Sequence, residues 1–458
     1  MVTLLKTLCE MSRRFDSFVC SKRGLVLCLV GFALCSKSGL AQDFEREPIN
    51  YATAPADNPV SRLQSQLDEG TRHLDRDDRQ GYLKSVLKAF DIPISSQTLV
   101  FSKTSLQRHR IAPRTPRAIY FSDEMYIGFC QQGDVVEVSA VDPGLGTVFY
   151  TLNQEVTDKP KFFRQNDNCL ICHGSSNTRG VPGHLVRSVY VDRGGLPVLS
   201  MGTHRIDHTS SIDKRWGGWY VTGTHGKQTH LGNLIVSNGP QHEPVENAAG
   251  QNVTSLDSKF DTSAYLSPHS DLIALMVLEH QTEAHNLLTR ANFQTREALY
   301  AEERLNKDLG EPEGHRWEST TTRIENACEA LVKYLLFCEE APLTSKLSGT
   351  TSFANDFSAR GLRDSKGRSL RDFDLEQRLF RFPCSYLVYS RSFDELPEEA
   401  RHTVLQRMWE VLSGADQSRE FSHLSGEDRT SILEILRETK SGLPEKWHAT
   451  ATENAQTP

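Results

Sequence analysis

The chain has 458 residues, of which 38% are hydrophobic and 24% charged, with a formal net charge of −7. That length builds two or three domains with buried cores, and the composition excludes disorder over most of it. The acidic balance excludes nucleic acid as an expected partner and suits basic protein surfaces or small molecules.

At the N-terminus, Arg13, Arg14, Lys22 and Arg23 precede an apolar stretch of 12 residues, 24–35, and Gly39, Leu40 and Ala41 offer small residues for cleavage before Gln42. Twelve residues fall short of the about 20 that cross a bilayer. Residues 1–41 therefore read as a cleaved signal peptide, which predicts a periplasmic or secreted protein with no stable membrane insertion. Cys28 and Cys35 follow Leu27 and Leu34 rather than small residues, which argues against lipidation. Without residues 1–41 the chain keeps 46 basic and 57 acidic side chains, a net of −11.

Residues 42–71 begin polar and rich in Pro, Ala and Asn, as in an exposed linker. Residues 72–92 have helical spacing and 98–101 look extended. Residues 108–117 mix Arg, His and Pro, and read as a solvated loop or as a basic docking surface. Four apolar-patterned runs, 118–121, 125–130, 135–141 and 147–152, are separated by turn residues and predict a β-meander. Extended segments are expected again at 185–191, 197–201 and 216–222.

After about residue 266 the period becomes helical. Residues 270–290 carry Leu272, Ile273, Leu275, Met276, Leu278, Leu287 and Leu288, with Ser267 or Ser270 as caps. Residues 323–338, 397–412 and 427–439 follow suit, with Pro397 in a first turn, Gly414 as a stop and Ser425 with Asp428 as a capping-box variant. Residues 349–368 read as a loop. The fold class is therefore α+β: a β-rich domain at 72–265, a helical domain at 266–442 and a disordered tail at 443–458.

Between the two groups of strands lies one run, Cys169, Leu170, Ile171, Cys172 and His173, of the form C-x-x-C-H. With 10 Cys and 16 His in the chain, chance yields such a run in about one chain in a hundred. On a helical turn, positions i, i+3 and i+4 share a face, so two thiols reach the vinyl groups of one haem while the histidine meets its iron. Cys169, Cys172 and His173 are thus expected to bind a single haem c, with His173 as an iron ligand. A zinc site would need a second Cys/His pair at ligand spacing, and a redox dithiol leaves His173 unexplained. Cys130, Cys328, Cys338 and Cys384 remain as buried thiols or disulfides, with no pairing assigned.

For the sixth iron position the candidates are His184, His208 and His225, with Met201 as the alternative. His184 follows a rigid Gly-Val-Pro-Gly turn, His208 follows Arg205 and Asp207, and His225 follows an aromatic strand. If the position is open instead, Arg205, Asp207 and His208 would supply a cation and a base to a bound substrate. Trp216, Trp219 and Tyr220 read as core aromatics or as packing for a macrocycle. Glu279, His280, Glu283 and His285 lack the Glu-x-x-His spacing of a carboxylate-bridged metal bundle and read as a polar helix face.

Through the C-x-x-C-H run and the export signal, the chain resembles the c-type cytochromes. The run from Pro116 to Phe121, the motif, Gly180 to His184, Trp216 to Tyr220 and Leu379 to Tyr386 are together similar to large, uncharacterised bacterial proteins with a cytochrome c domain. The chain departs from small carrier cytochromes in its β-rich surroundings and in the long segment before the motif. The resemblance implies haem binding and electron transfer, and it supplies no substrate. The expected function is an exported monohaem c-type cytochrome that mediates single-electron transfer with a redox partner protein. The alternatives are a haem-dependent oxidoreductase with an open distal site and a small-molecule substrate, or a haem-based sensor.

Overall fold

Alternation of apolar and polar side chains from 117 to 153 builds the centre of the protein, an antiparallel meander of β2 (Arg117–Phe121), β3 (Met125–Phe129), β4 (Val135–Asp142) and β5 (Gly146–Asn153). The computed structural model describes residues 43–236 and 246–448; the export-signal reading of 1–41 falls outside them. β6 (Phe162–Arg164) joins one edge, and β1 (Thr98–Val100) with β9 (Trp219–Tyr220) the other, giving seven strands in the order β6-β5-β4-β3-β2-β1-β9. A separate pair, β7 (Arg187–Val189) and β8 (Thr203–Arg205), lies after the motif.

Register divides the sheet into two unlike faces. Ile127, Val138 and Tyr150 are direct cross-strand partners, as are Met125, Ala140 and Val148, so one face is apolar. Phe44, Ile49, Tyr51, Val60, Leu83 and Val86 cover it. On the opposite face the register aligns Tyr126, Ser139 and Phe149, and then Gly128, Glu137 and Thr151. This second face is aromatic and polar, and the motif and the long helix pack over it.

The N-terminal segment departs from the linker expectation. Phe44, Ile49 and Tyr51 are buried, the Tyr51 hydroxyl donates to the Thr147 carbonyl at 2.8 Å, and Asn58 caps α1 (Pro59–Asp68) while donating to the Tyr150 hydroxyl at 3.0 Å. Three large apolar side chains in a polar-looking stretch are enough to dock it. The helix expected at 72–92 shrinks to α2 (Leu83–Ala89), because a turn closed by reciprocal Asp77–Gly81 backbone bonds, with Gly81 at φ 61°, precedes it. Residues 197–201 end in a 3-10 turn rather than a strand. The motif itself is α3 (Leu170–His173).

The C-terminal half is helical among the described residues: α4 (Leu272–Leu309), α5 (Glu318–Leu335), α6 (Phe353–Ala359), α7 (Arg391–Asp394), α8 (Glu398–Leu412) and α9 (Gly426–Thr439). Asp271, not a serine, caps α4, accepting from the Ile273 and Ala274 amides at 2.8 and 3.2 Å. The helix runs 19 residues beyond 290, since no Gly or Pro intervenes before Gly310, whose φ of 71° ends it. The expected loop at 349–368 contains α6, because Phe353 and Phe357 bury one helical face. Ser425 and Asp428 form the expected capping box. Trp447 in the expected tail is fully buried. No described helix is long and apolar enough to cross a membrane.

The largest departure lies in the middle of α4. Residues 279–286, expected as a polar surface, are all buried. Arg215 pairs with Glu279, with both side chains nearly inaccessible. The Gln281 amide donates to the Tyr126 hydroxyl at 2.8 Å and accepts from the Tyr386 hydroxyl at 2.6 Å. Removing one member of a buried ion pair strands the other charge, whereas replacing both with apolar groups restores packing. Arg215→Met is therefore expected to cost about 3–5 kcal/mol in urea unfolding, and Arg215→Met combined with Glu279→Leu to recover most of it; a double variant as unstable as the single one contradicts the pairing.

Candidate functional site

One short turn carries the motif. Cys169 precedes α3 as its N-cap residue, Leu170 is buried and anchors the turn, and Ile171 points outward at 72% exposure. The Cys172 and His173 amides both donate back to the Cys169 carbonyl, at 3.3 and 2.9 Å. Helical geometry places Cys169, Cys172 and His173 along one side of the turn. Both thiols are free, with Cys172 exposed and Cys169 half-buried. Burial pushes the Cys169 thiol up to about 11.

His173 is oriented by its own backbone neighbours. Its Nδ1 lies 2.9 Å from the Gly183 carbonyl, which only accepts, so Nδ1 carries the proton and Nε2 keeps its lone pair. The Gly183 amide in turn donates to the His173 carbonyl at 2.8 Å. Phe149 from β5 supports the imidazole, with ring centroids 4.9 Å apart. Burial lowers the His173 pKa, opposed by the Gly183 hydrogen bond, and favours the neutral ring that a metal requires.

Gly183 is in turn fixed from α4. A Cβ on Gly183 would lie 2.1 Å from Asn286 Oδ1, so only glycine allows this approach. Asn286 accepts from the His184 amide at 3.0 Å and donates to the His184 carbonyl at 2.9 Å. One helical turn earlier on α4, Glu283 accepts from Arg179 Nε at 2.6 Å, and Arg205 Nη2 lies 3.7 Å from the same oxygen. The loop behind the motif is thereby clamped at Arg179 and at His184. A second pair, Arg117 and Glu137, crosses the sheet face at Gly128, where a Cβ would collide with the guanidinium.

The remaining histidine candidates scatter. His184 is close to His173, since Phe149 contacts both rings. Its two nitrogens are taken, however, by Ser139 Oγ at 2.8 Å and Thr147 Oγ1 at 3.3 Å. His208 belongs to the helical core: its Nδ1 is 2.9 Å from His280 Nδ1, and its ring stacks on Tyr334 and Phe337. His225 Nε2 accepts from the Asn252 amide at 3.0 Å, and its ring lies 4.7 Å from His230. Met201, half-buried, ends the 3-10 turn.

The group Arg205, Asp207 and His208 also separates, because Arg205 turns to Glu283 while Asp207 accepts from Thr209. Trp216, Trp219 and Tyr220 are core residues, with Trp219 Nε1 donating to the Arg187 carbonyl and the Tyr220 hydroxyl to the Pro113 carbonyl. Cys130, Cys328, Cys338 and Cys384 are buried free thiols.

Phe149, Gly183, Asn286 and the Arg117–Glu137 pair escaped the sequence reading. Only Gly183 left a signal, as the last residue of the Gly180-Val-Pro-Gly183 turn. Among the described residues no three or more His, Cys, Asp and Glu side chains converge to hold a metal ion; the motif groups lie along their turn instead.

Burial holds several histidines neutral. His208 and His230 are pushed down to about 3 and His285 to about 4, each mainly by desolvation. A histidine depressed in the fold stabilises fully above its unfolded value of 6.5, and that contribution is lost as pH falls toward the folded value. Between pH 5.5 and 4, His230 alone costs the fold about 2 kcal/mol. The stability of His230→Gln, measured by urea unfolding at both pH values, is expected to fall by about 2 kcal/mol less than that of the unsubstituted protein; equal falls contradict the assignment.

The chain matches no protein-family model, no curated protein and no solved structure.

Proposed function

We propose that this protein is an exported monohaem c-type cytochrome that passes single electrons to and from a redox partner protein. The observation that carries the proposal is the C-x-x-C-H turn with His173 Nδ1 tied to the Gly183 carbonyl and Nε2 left as the ligand atom. Cys169 and Cys172 would hold the haem through thioether bonds, and His173 would ligate its iron. When bound, haem c supplies a one-electron couple.

The chain's own residues orient and shield that centre. Gly183 fixes the imidazole tautomer, Phe149 limits rotation of the ring, and Asn286 holds the loop that carries Gly183. Arg179 and Arg205 place positive charge behind the motif, although Glu283 offsets part of it. The acidic balance of residues 42–458 fits a partner with a basic docking surface.

A second reading, a haem oxidoreductase or gas-binding sensor with an open sixth position, is favoured by one feature. His184, the histidine candidate beside His173, has both nitrogens committed to hydroxyls. Visible spectra of the reduced protein with and without carbon monoxide separate the readings. A low-spin spectrum unmoved by carbon monoxide supports electron transfer, and ready carbon monoxide binding supports the open site.

Haem attachment itself is tested by substitution. Cys169→Ser or Cys172→Ser is expected to weaken the haem stain on a denaturing gel, and the double replacement to abolish it. Undiminished stain in the double variant overturns the proposal.

A further inference from the structure

A cleft of about 600 Å³ opens between α1, α2, the β2–β3 turn and the segment from Tyr386 to Ser390. An inner recess of about 20 Å³ adjoins it, and Ser122, Asp123 and Arg360 line both. The recess has room for roughly one or two oxygen-sized atoms. Phe121, Phe353 and Phe357 make its apolar walls.

Arg371 also lines the recess and is only 8% exposed. Its guanidinium sits 4.6 Å from the Phe357 ring centre and 4.4 Å from that of Tyr386. Nη2 pairs with Asp123, while Nη1 is buried without a hydrogen-bond partner. An unpaired guanidinium N–H is costly to bury, and a ligand that brings an acceptor to it regains that cost.

The neighbouring acids are already occupied. Asp123 serves Arg371, Asp356 Oδ2 accepts from the Ser95 and Ser352 hydroxyls at 2.6 and 2.7 Å, and Glu124 accepts from the Arg391 amide at 3.3 Å. Arg360 pairs with Asp91 at 3.2 Å but remains 37% exposed at the junction of recess and cleft. Among the described residues, the one recess-lining side-chain atom that is buried without a partner is therefore a donor on a cation, which favours an anion over an amine. Phe90, Leu387 and Tyr389 add apolar and aromatic surface in the outer cleft.

We propose that this cleft binds a small organic carboxylate, with a carboxylate oxygen reaching into the recess against Arg371, Arg360 at its entrance and an apolar body in the outer cleft. The site stands apart from the motif and does not depend on whether the chain carries haem.

Calorimetric titration of the full exported protein with benzoate, benzamide and benzylamine at constant ionic strength tests the proposal. Benzoate is expected to bind saturably at one site, at least tenfold more tightly than benzamide, and benzylamine not at all. Arg371→Lys keeps a charge beside Asp123 but loses the planar fork, and should weaken benzoate at least tenfold. Arg360→Gln, a half-exposed change that carries the test where Arg371→Lys fails to fold, should weaken it about threefold to tenfold. Absence of saturable benzoate binding, equal affinity for benzamide, or affinity unchanged in Arg360→Gln overturns the site.

Discussion

A buried polar group is costly to leave unpaired, and the structure turns on one helical segment dense in such groups, most of which find partners, with Glu279 Oε2 and His285 Nδ1 as exceptions. From Glu279 to Asn286 only Ala284 is apolar, yet the whole segment is buried. Each long polar side chain in it reaches a different element: Glu279 finds Arg215, His280 finds His208 and Ser385, and Gln281 bridges Tyr126 and Tyr386. Glu283 finds Arg179, His285 the Asp123 carbonyl, and Asn286 the backbone of His184. Hydrophobic contact alone would let α4 slide over the sheet; these directional bonds fix its register, because any shift leaves several buried groups unpaired at once.

The motif inherits its geometry from that constraint. The Gly183 carbonyl orients His173, and the neighbouring peptide of His184 is held from both sides by Asn286. Arg179 anchors the start of the same loop to Glu283. The turn bearing Cys169 and Cys172 is itself short and edged by exposed Ile171, so its chemistry is accessible while the histidine is held firmly. A ligand atom with a fixed tautomer beside one exposed and one half-buried thiol is the arrangement that the proposed haem attachment uses.

Much of the fold was legible in the sequence, and for identifiable reasons. The meander showed because strands of five to eight residues alternate between an apolar and a mixed face, and the turns between them contain Asp, Gly and Pro. The capping box at Ser425 and Asp428 showed because capping is local. The docking of Phe44, Ile49 and Tyr51 did not show, since three apolar residues in a polar stretch have no period. The interior position of residues 279–286 was hidden for a stronger reason: charged residues on a helix signal solvent unless their partners are known, and those partners lie up to 162 residues away, as for His285 and the Asp123 carbonyl. At the site, C-x-x-C-H was legible because it is a contiguous run whose spacing needs no tertiary information. The fates of His184, His208 and His225 were not, because each is decided by hydroxyls, rings or amides brought in by tertiary packing.

The proposed covalent attachment at Cys169 and Cys172 is tested most directly by the intact mass of the protein under denaturing conditions. The mass of residues 42–458 increased by one haem is the predicted result. A mass equal to the bare polypeptide, from cells that attach haem to other exported proteins, contradicts it.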